Sequence, residues 1–337
     1  MKRMAFISVF VFIVLLMVGC GENGYGYEHE GDYHHHYEED YEYEYEHEEE
    51  FVFESVIPLD MALRLFTELE EIWDRDGGAL WGVPLHAPVM IACRTTRQAV
   101  GNQPDLHGIL TPYGGVYVGE LPPGAHISNT ALWIGGIYWG MAIWDDAQSD
   151  LDTLVTLNHE AYHAILGGGF AGPDIEVLGG NWVLVEDINI SWALEMDALL
   201  SALRSTGDAR LEYVTRGLSY RAWRRYQRPP LTPRENSVHY GEGLAQYSDH
   251  IVFEDLEDFI AHRIVPWIDH ALEGEHGNGI NYGYAGGALY ALLLNETGID
   301  WKTDRHRGMD FGDLLKNAMG ITELIPFDLL VLERRGE

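Results

Sequence analysis

Cysteine and basic residues are both scarce in this chain. The 337 residues include only two cysteines, Cys20 and Cys93, so the sequence does not indicate a disulfide framework. Lys and Arg number 21 against 54 Asp and Glu, which gives a formal net charge of -33 at pH 7. A nucleic-acid binder needs a basic face, and so does a protein that docks electrostatically on anionic lipid. We therefore expect no nucleic acid as a partner.

The N-terminus begins with Lys2 and Arg3 and continues with an apolar run from Ala5 to Val18. This run is too short to span a membrane comfortably and is typical of a signal-peptide core. It ends at Leu16-Met17-Val18-Gly19-Cys20, which resembles a bacterial lipobox, although Met17 stands where Leu is usual. In a lipobox the signal is cut before the cysteine, and the cysteine carries the lipid.

The resemblance predicts a lipoprotein signal peptide over residues 1–20 and lipidation at Cys20. The protein would then be exported and lipid-anchored, with its domain on the extracytoplasmic side of the bacterial membrane. A plain secretory signal with a chance cysteine is the alternative. Both interpretations place residues 21–337 outside the cytoplasm.

Residues 21–50 contain Glu, Asp, Tyr and His but no Lys or Arg. Like charges repel, and the segment has no aliphatic residues to form a core. We expect a disordered acidic linker that lifts the following domain away from the membrane. A weak metal-collecting tail is the alternative, because clustered imidazoles and carboxylates bind divalent metals.

The rest of the chain divides by pattern at about residue 150. Within residues 51–150, the pattern predicts a helix over 56–75 and then short apolar runs separated by Gly, Pro and Asn. Strands are predicted at Val89–Cys93, Val116–Gly119, Ile127–Trp133 and Ile137–Trp144. Within residues 151–337 helices are predicted near 151–166, 190–206, 208–226, 241–252, 256–272, 283–296 and 310–319. A small mixed or antiparallel sheet followed by a mostly helical part is an α+β arrangement.

The first helix after residue 150 contains His159-Glu160-Ala161-Tyr162-His163. Positions i and i+4 share one face of a helix, so His159 and His163 can bind the same Zn²⁺ ion. Glu160 can then reach a water on that metal and act as the general base. The H-E-x-x-H motif therefore predicts a zinc-dependent hydrolase. Two surface histidines on an ordinary helix are the alternative.

A zinc site of this type needs a third protein ligand. The motif resembles that of the gluzincins, a family of zinc metallopeptidases in which this ligand is a glutamate on a later helix. Two glutamates fit, Glu195 and Glu242, and each has a small residue three places further on. Glu242 is favoured because Gln246, four places later, can accept a hydrogen bond from the outer N–H of a ligand histidine. Leu199, four places after Glu195, cannot.

The run Glu-Gly-Leu-Ala-Gln-Tyr from Glu242 to Tyr247 also resembles the segment that carries the third ligand in aminopeptidase-like gluzincins. In those enzymes the glutamate follows the second histidine by about twenty residues, whereas here a predicted helix pair intervenes. Residues 56–300 resemble a group of bacterial proteins of uncharacterised activity. The matching stretches are Leu121-Pro122, Asn129-Thr130, His159–His163, Leu194–Leu203, Glu242–Tyr247 and Tyr284–Tyr290. These resemblances imply a zincin-like fold and a zinc peptidase, but no particular substrate.

Two further roles follow from the resemblance to gluzincins. These enzymes stabilise the oxyanion with a Tyr or His, and Tyr240, Tyr282 and Tyr284 lie in suitable segments, as does His239. Zincins also bind the substrate backbone along an edge strand above the metal, and the run from His126 to Trp133 is the candidate. The leading hypothesis is a cell-surface zinc peptidase whose partner is a peptide or protein substrate. The alternative is a non-catalytic surface lipoprotein, on a degenerate peptidase fold, that binds metal or a partner.

Overall fold

One mixed sheet carries helices on one face and a second apolar layer on the other. The computed structural model describes residues 53–167, 186–229, 232–253, 255–273, 279–302 and 309–334. The predicted signal peptide and acidic linker lie outside the described residues. The sheet part and the helical part belong to one compact unit, Val52–Glu337. No helix in the described part of the chain is long and apolar enough to cross a membrane.

The sheet has six strands in the order β3-β4-β2-β1-β6-β5. Their bounds are β1 Val89–Ala92, β2 Gln98–Gly101, β3 Leu110–Tyr113, β4 Val116–Glu120, β5 Thr130–Ile134 and β6 Ile137–Ile143. Neighbouring strands are antiparallel except for β1 and β6, which run parallel. The β5 strand therefore occupies one edge of the described sheet.

Four of these strands were predicted, and β2 and β3 were not. Each has only four residues, and β3 contains a proline, so their pattern does not stand out from turns. The predicted run from Ile127 begins too early. The carbonyl of Ile127 accepts a hydrogen bond from Arg94 at 3.1 Å, and the strand starts three residues later at Thr130.

Both faces of the central strands are buried. Val89 and Ile91 of β1 pack with the first two helices, whereas Met90 of the same strand packs in a separate cluster on the opposite face with Trp139. This explains why β1 is a continuous apolar run rather than an alternating one. The largest core cluster is mainly helical and contains Leu199, and Leu80 and Tyr162 join it from earlier in the chain.

The helices follow the sheet in the chain, except for the first, which precedes it. In chain order they are α1 Leu59–Asp76, α2 Asp150–Tyr162, α3 Glu186–Leu203, α4 Gly207–Gln227, α5 Thr232–Val238, α6 Leu244–Ser248, α7 Leu256–Phe259, α8 Val265–Glu273, α9 Gly279–Glu296, α10 Phe311–Ala318 and α11 Phe327–Arg334. The α+β class predicted from the sequence is confirmed. The short helices α5 and α11 were not predicted.

Within the described ranges, three π-helical turns interrupt or extend these helices, at His163–Gly167, His239–Gly243 and Ile260–Ile264. The predicted helix over 241–252 is therefore wrong as a single element. It consists of the second π turn, then α6, then a 3₁₀ turn at Asp249–Val252. Single π turns inside α-helices are frequent at functional sites.

Candidate metal centre

The helix α2 begins at a clear cap and runs along the sheet. The Ser149 hydroxyl accepts a hydrogen bond from the amide of Asp152 at 3.1 Å, which satisfies one of the free amides of the first turn. Gly140 of β6 lies directly beneath the turn that carries the motif. A Cβ atom at this position would lie 2.8 Å from the carbonyl carbon of Glu160, so glycine allows the helix to approach the sheet closely.

The segment that carries Glu242 reaches the same place through a second close approach. Gly243 packs against α9 so tightly that a Cβ atom on it would lie 2.5 Å from the Cα of Gly287. The absence of side chains on both residues brings the π turn His239–Gly243 down onto α9. This contact helps to set the position of Glu242 relative to α2.

His159, His163 and Glu242 converge on one point. Glu242 Oε2 lies 3.3 Å from Nε2 of His159 and 3.4 Å from Nε2 of His163. The candidate ligand atoms of the three residues all lie within 4.8 Å of one another, and they are the one such group among the described residues. His159 and Glu242 are therefore in contact although 83 residues separate them in the sequence.

Hydrogen bonds from α2 hold the two ligand-bearing segments together. Asn158 donates to the carbonyl of Ser248 at 3.0 Å and accepts from the indole of Trp73 at 2.9 Å. Tyr162 donates to the carbonyl of Tyr240 at 3.2 Å. Asn158 precedes His159, and Tyr162 lies inside the motif directly before His163, so each histidine has a neighbour that is bonded to the segment around Glu242.

The outer nitrogen of His159 faces a carboxylate that sequence analysis did not single out. Its Nδ1 atom lies 3.2 Å from Oδ2 of Asp249, which is fully buried at the start of the 3₁₀ turn. This contact fixes the tautomer that leaves Nε2 free to bind a metal. The role predicted for Gln246 therefore falls to Asp249. The carbonyl oxygen of Gln246 instead accepts a hydrogen bond from the indole of Trp267 at 3.1 Å.

Tyr284 closes the site from α9. Its ring stacks on His159 with centroids 5.7 Å apart, and Trp267 stacks on its other face at 4.3 Å. Burial, followed by the charge of Glu242 and the hydrogen bond to it, raises the pKa of Tyr284 well above its ordinary value. The phenol is thus a stable hydrogen-bond donor to the carboxylate of Glu242.

Glu160 is the buried carboxylate beside these groups. It is only 6% exposed, and its Oε2 atom has no hydrogen-bond partner among the residues that the structure describes. Burial raises the pKa of Glu160, the histidines of the motif lower it, and the carboxylates of Glu242 and Asp249 raise it again, with a net increase. A carboxylate with a raised pKa and a free oxygen is suited to accept a proton near neutral pH.

The cluster combines carboxylates with imidazoles. Three carboxylates, those of Glu160, Glu242 and Asp249, face two imidazoles, and the guanidinium of Arg263 lies 3.8 Å from Asp249. Burial would lower the pKa of His159, but Asp249, Glu242 and Glu160 raise it to about 10. Burial would likewise raise the pKa of Glu242, but hydrogen bonds from the two histidines hold it well below its ordinary value. Two imidazoles and one carboxylate are a ligand set that Zn²⁺ prefers, so the residues fit this metal.

Glu195, the second candidate for the third ligand, lies elsewhere. Its carboxylate is fully buried and lies 2.6 Å from Nη1 of Arg224 and 3.4 Å from Nη1 of Arg221. The phenol of Tyr290 donates to it at 2.6 Å. These partners satisfy the charge of Glu195 inside the helical core, so it is not a metal ligand in this structure.

The predicted oxyanion donors separate in the same way. The phenol of Tyr240 donates to the carbonyl of Met309 at 2.8 Å, and Tyr282 stacks on Trp192 at 4.6 Å in a different cluster. Neither is brought to the histidines, whereas Tyr284 is. The imidazole of His239 is buried between the rings of other core residues and is likewise outside the site.

Tyr138 of β6 is a neighbour of the site that sequence analysis missed. Burial and the charge of Glu160 raise the pKa of its phenol, so the phenol lies within electrostatic reach of that carboxylate. Tyr138 lies two residues before Gly140 and so on the same face of β6, but this places it near Glu160 only once the packing of α2 on β6 is known.

No protein-family model, curated protein or solved structure matches this chain.

Proposed function

We propose that the protein is a zinc-dependent hydrolase that cleaves peptide bonds at the cell surface. The observation that carries this proposal is the convergence of His159, His163 and Glu242 beside a buried carboxylate with a free oxygen. The helix motif alone is compatible with two solvated histidines. A third ligand that arrives from a segment 83 residues away, together with a charge partner for His159, is much harder to explain by chance.

In the proposed mechanism each residue has a separate task. His159, His163 and Glu242 hold the metal, and Asp249 keeps His159 in the required tautomer. Bound Zn²⁺ supplies Lewis acidity toward a water and a substrate carbonyl. Glu160 removes a proton from the attacking water and returns it to the nitrogen of the leaving amine. Tyr284 restrains the orientation of the Glu242 carboxylate through its hydrogen bond to that carboxylate.

The choice of a peptide as substrate rests on the arrangement of the sheet. A zincin-like fold places an edge strand beside the helix that carries the two ligand histidines. That helix is α2 here, and β5 is an edge strand of the described sheet. It contacts both α2 and the π turn His163–Gly167. An extended peptide can add to such an edge through backbone hydrogen bonds, and this mode does not depend on one particular side chain. The cell-surface location rests on the lipobox-like sequence that ends at Cys20.

The test is elemental analysis and peptide hydrolysis on the chain that follows the predicted signal, residues 21–337. We expect about one zinc per chain and cleavage of a peptide library. Glu160→Gln should retain the zinc, because Glu160 is not a ligand, and should lose activity by about a hundred- to ten-thousand-fold. A fully active Glu160→Gln protein, or a wild type without bound metal, would refute the proposal.

A further inference from the structure

An aromatic pair of one exposed and one half-buried side chain lies on the face of the sheet that packs against α2. Trp133 of β5 pairs with Tyr138 of β6, and their ring centroids are 5.3 Å apart. Directly opposite residues of an antiparallel pair project to the same face. Trp133 is 72% exposed although it is one of the largest apolar side chains in the chain.

The register shows which face this is. Gly140 pairs with Ala131 and lies against the backbone of Glu160. Side chains alternate along a strand, so Tyr138 and Trp133 share the face of Gly140 and Ala131. Ala131 is thus the residue of β5 beside the contact with Glu160, and Trp133 lies two residues further along the strand. That step corresponds to about 6.8 Å along the strand.

The opposite face of β5 packs into a buried apolar cluster. Leu132 and Ile134 pack with Trp139 in the cluster on the other side of the sheet. Core packing thus accounts for Leu132 and Ile134 of the strand. Trp133 belongs to none of the buried apolar clusters of the described residues, and its ring contacts Tyr138. Large apolar side chains that remain exposed next to a candidate active site are typical of ligand-binding surfaces.

We infer that Trp133 and Tyr138 form a specificity subsite that accepts an aromatic or large apolar side chain of the peptide substrate. This inference rests on the proposed function. A peptide added along β5 presents alternate side chains to the same face as Trp133. The side chain that meets the aromatic pair lies within two residues of the scissile bond. It loses contact with water against two rings and gains aromatic packing if it is itself a ring.

The experiment uses the chain of residues 21–337 loaded with zinc, and fluorogenic peptides in matched pairs. Each pair differs only by Phe or Gly at one of the four positions nearest to the scissile bond. We expect the wild type to prefer Phe at one of these positions, measured as the ratio of kcat/KM. Trp133→Ala should reduce this ratio about tenfold or more, whereas Trp133→Phe should keep most of it, since the ring is the binding element.

Tyr226→Ala is the matched control. Tyr226 is also 72% exposed and also forms a ring pair, with Phe327 at 5.7 Å, but it belongs to α4 and packs against α11. The Phe-to-Gly ratio should not change in this variant. A wild type without side-chain preference, or an unchanged ratio in Trp133→Ala, overturns the inference.

A binding measurement separates this inference from the proposed function. Zinc-loaded Glu160→Gln protein is titrated with the same Phe and Gly peptides, with and without the additional change Trp133→Ala. If the wild type shows no hydrolysis, tighter binding of the Phe peptide that disappears in the double variant keeps the subsite and rejects the peptidase. Equal binding of both peptides rejects the subsite, whatever the activity.

Discussion

Two buried charge clusters among the described residues differ in the groups that face their carboxylates. The arginine cluster joins Glu195, Arg221, Arg224, Arg225, Glu235 and Asp310. Its three guanidinium groups match its three carboxylates, with contacts as short as 2.6 Å. The His–Glu cluster joins His159, Glu160, His163, Glu242 and Asp249. The guanidinium of Arg263 approaches it only at 3.8 Å, from Asp249.

The comparison contrasts a structural carboxylate, Glu195, with the proposed metal ligand, Glu242. Glu195 and Glu242 have similar sequence surroundings, and both are carried by helical segments. The chain itself neutralises Glu195 with two arginines, whereas Glu242 meets two imidazoles that a cation can bridge. A buried group needs its compensating charge from within the protein or from a bound ion.

The largest predicted effect separates the clusters by metal content. Glu242→Ala should weaken zinc binding by more than about a hundredfold, which exceeds the usual loss for an outer-shell partner, because a direct ligand is removed. Glu195→Ala should retain about one zinc per folded chain. Elemental analysis after dialysis measures both. Equal zinc content in the two variants would contradict the assignment of the third ligand.

The second prediction concerns stability, for which Glu195 and not Glu242 is the residue expected to matter. Glu195→Ala leaves Arg224 and Arg221 short of a buried carboxylate and should lower the free energy of unfolding by about 3–5 kcal/mol. Urea denaturation in the presence of a chelator measures it. Glu257→Ala is the control, since its ion pair with Arg204 is exposed and should contribute little. Comparable losses in the two variants would show that the arginine cluster is not a structural core.

The third prediction concerns acid stability. Burial would raise the pKa of Glu235, but Arg224, Arg221 and Arg225 lower it from 4.5 to about 2. Its stabilisation is complete above pH 4.5 and is lost as the pH falls toward 2, by roughly 3 kcal/mol in total. Unfolding free energies at pH 6, 4.5 and 3 should fall more steeply in the wild type than in Glu235→Gln. Parallel curves would exclude this carboxylate as a source of acid lability.

The smallest predicted effect tests the outer partner of His159. Asp249→Asn should weaken zinc binding about 10- to 100-fold, because the imidazole loses a charged acceptor but keeps its position. Gln246→Met should have a smaller effect, since Gln246 contacts Trp267 and not the histidine. Competition with a chelator measures both affinities. A larger loss in Gln246→Met would restore Gln246 as the partner of His159.

The helix motif and most helices could be predicted from the sequence, because each depends on residues close together in the chain. His159, Glu160 and His163 are related by one helical turn. The partner Asp249 could not be predicted in this way. It lies seven residues after Glu242, and its contact with His159 depends on a π turn, on α6 and on the close approach of Gly243 to Gly287.

The same limit applies to the tyrosines. Tyr240, Tyr282 and Tyr284 are equivalent in a local pattern, and only tertiary packing separates them. Tyr240 reaches Met309, Tyr282 reaches Trp192, and Tyr284 reaches the histidines. Hydrophobic periodicity predicts which face of a helix is buried, but not which other element covers it.

The hydrogen bonds of Asn158 and Tyr162 have a consequence for the order of maturation. They join the two halves of the site through protein contacts alone, so the loop of 83 residues between the ligands is closed before an ion arrives. The entropy of closing this loop is then offset by folding, and little of it is subtracted from metal affinity. A chain built in this way can fold first and bind the proposed metal ion afterwards.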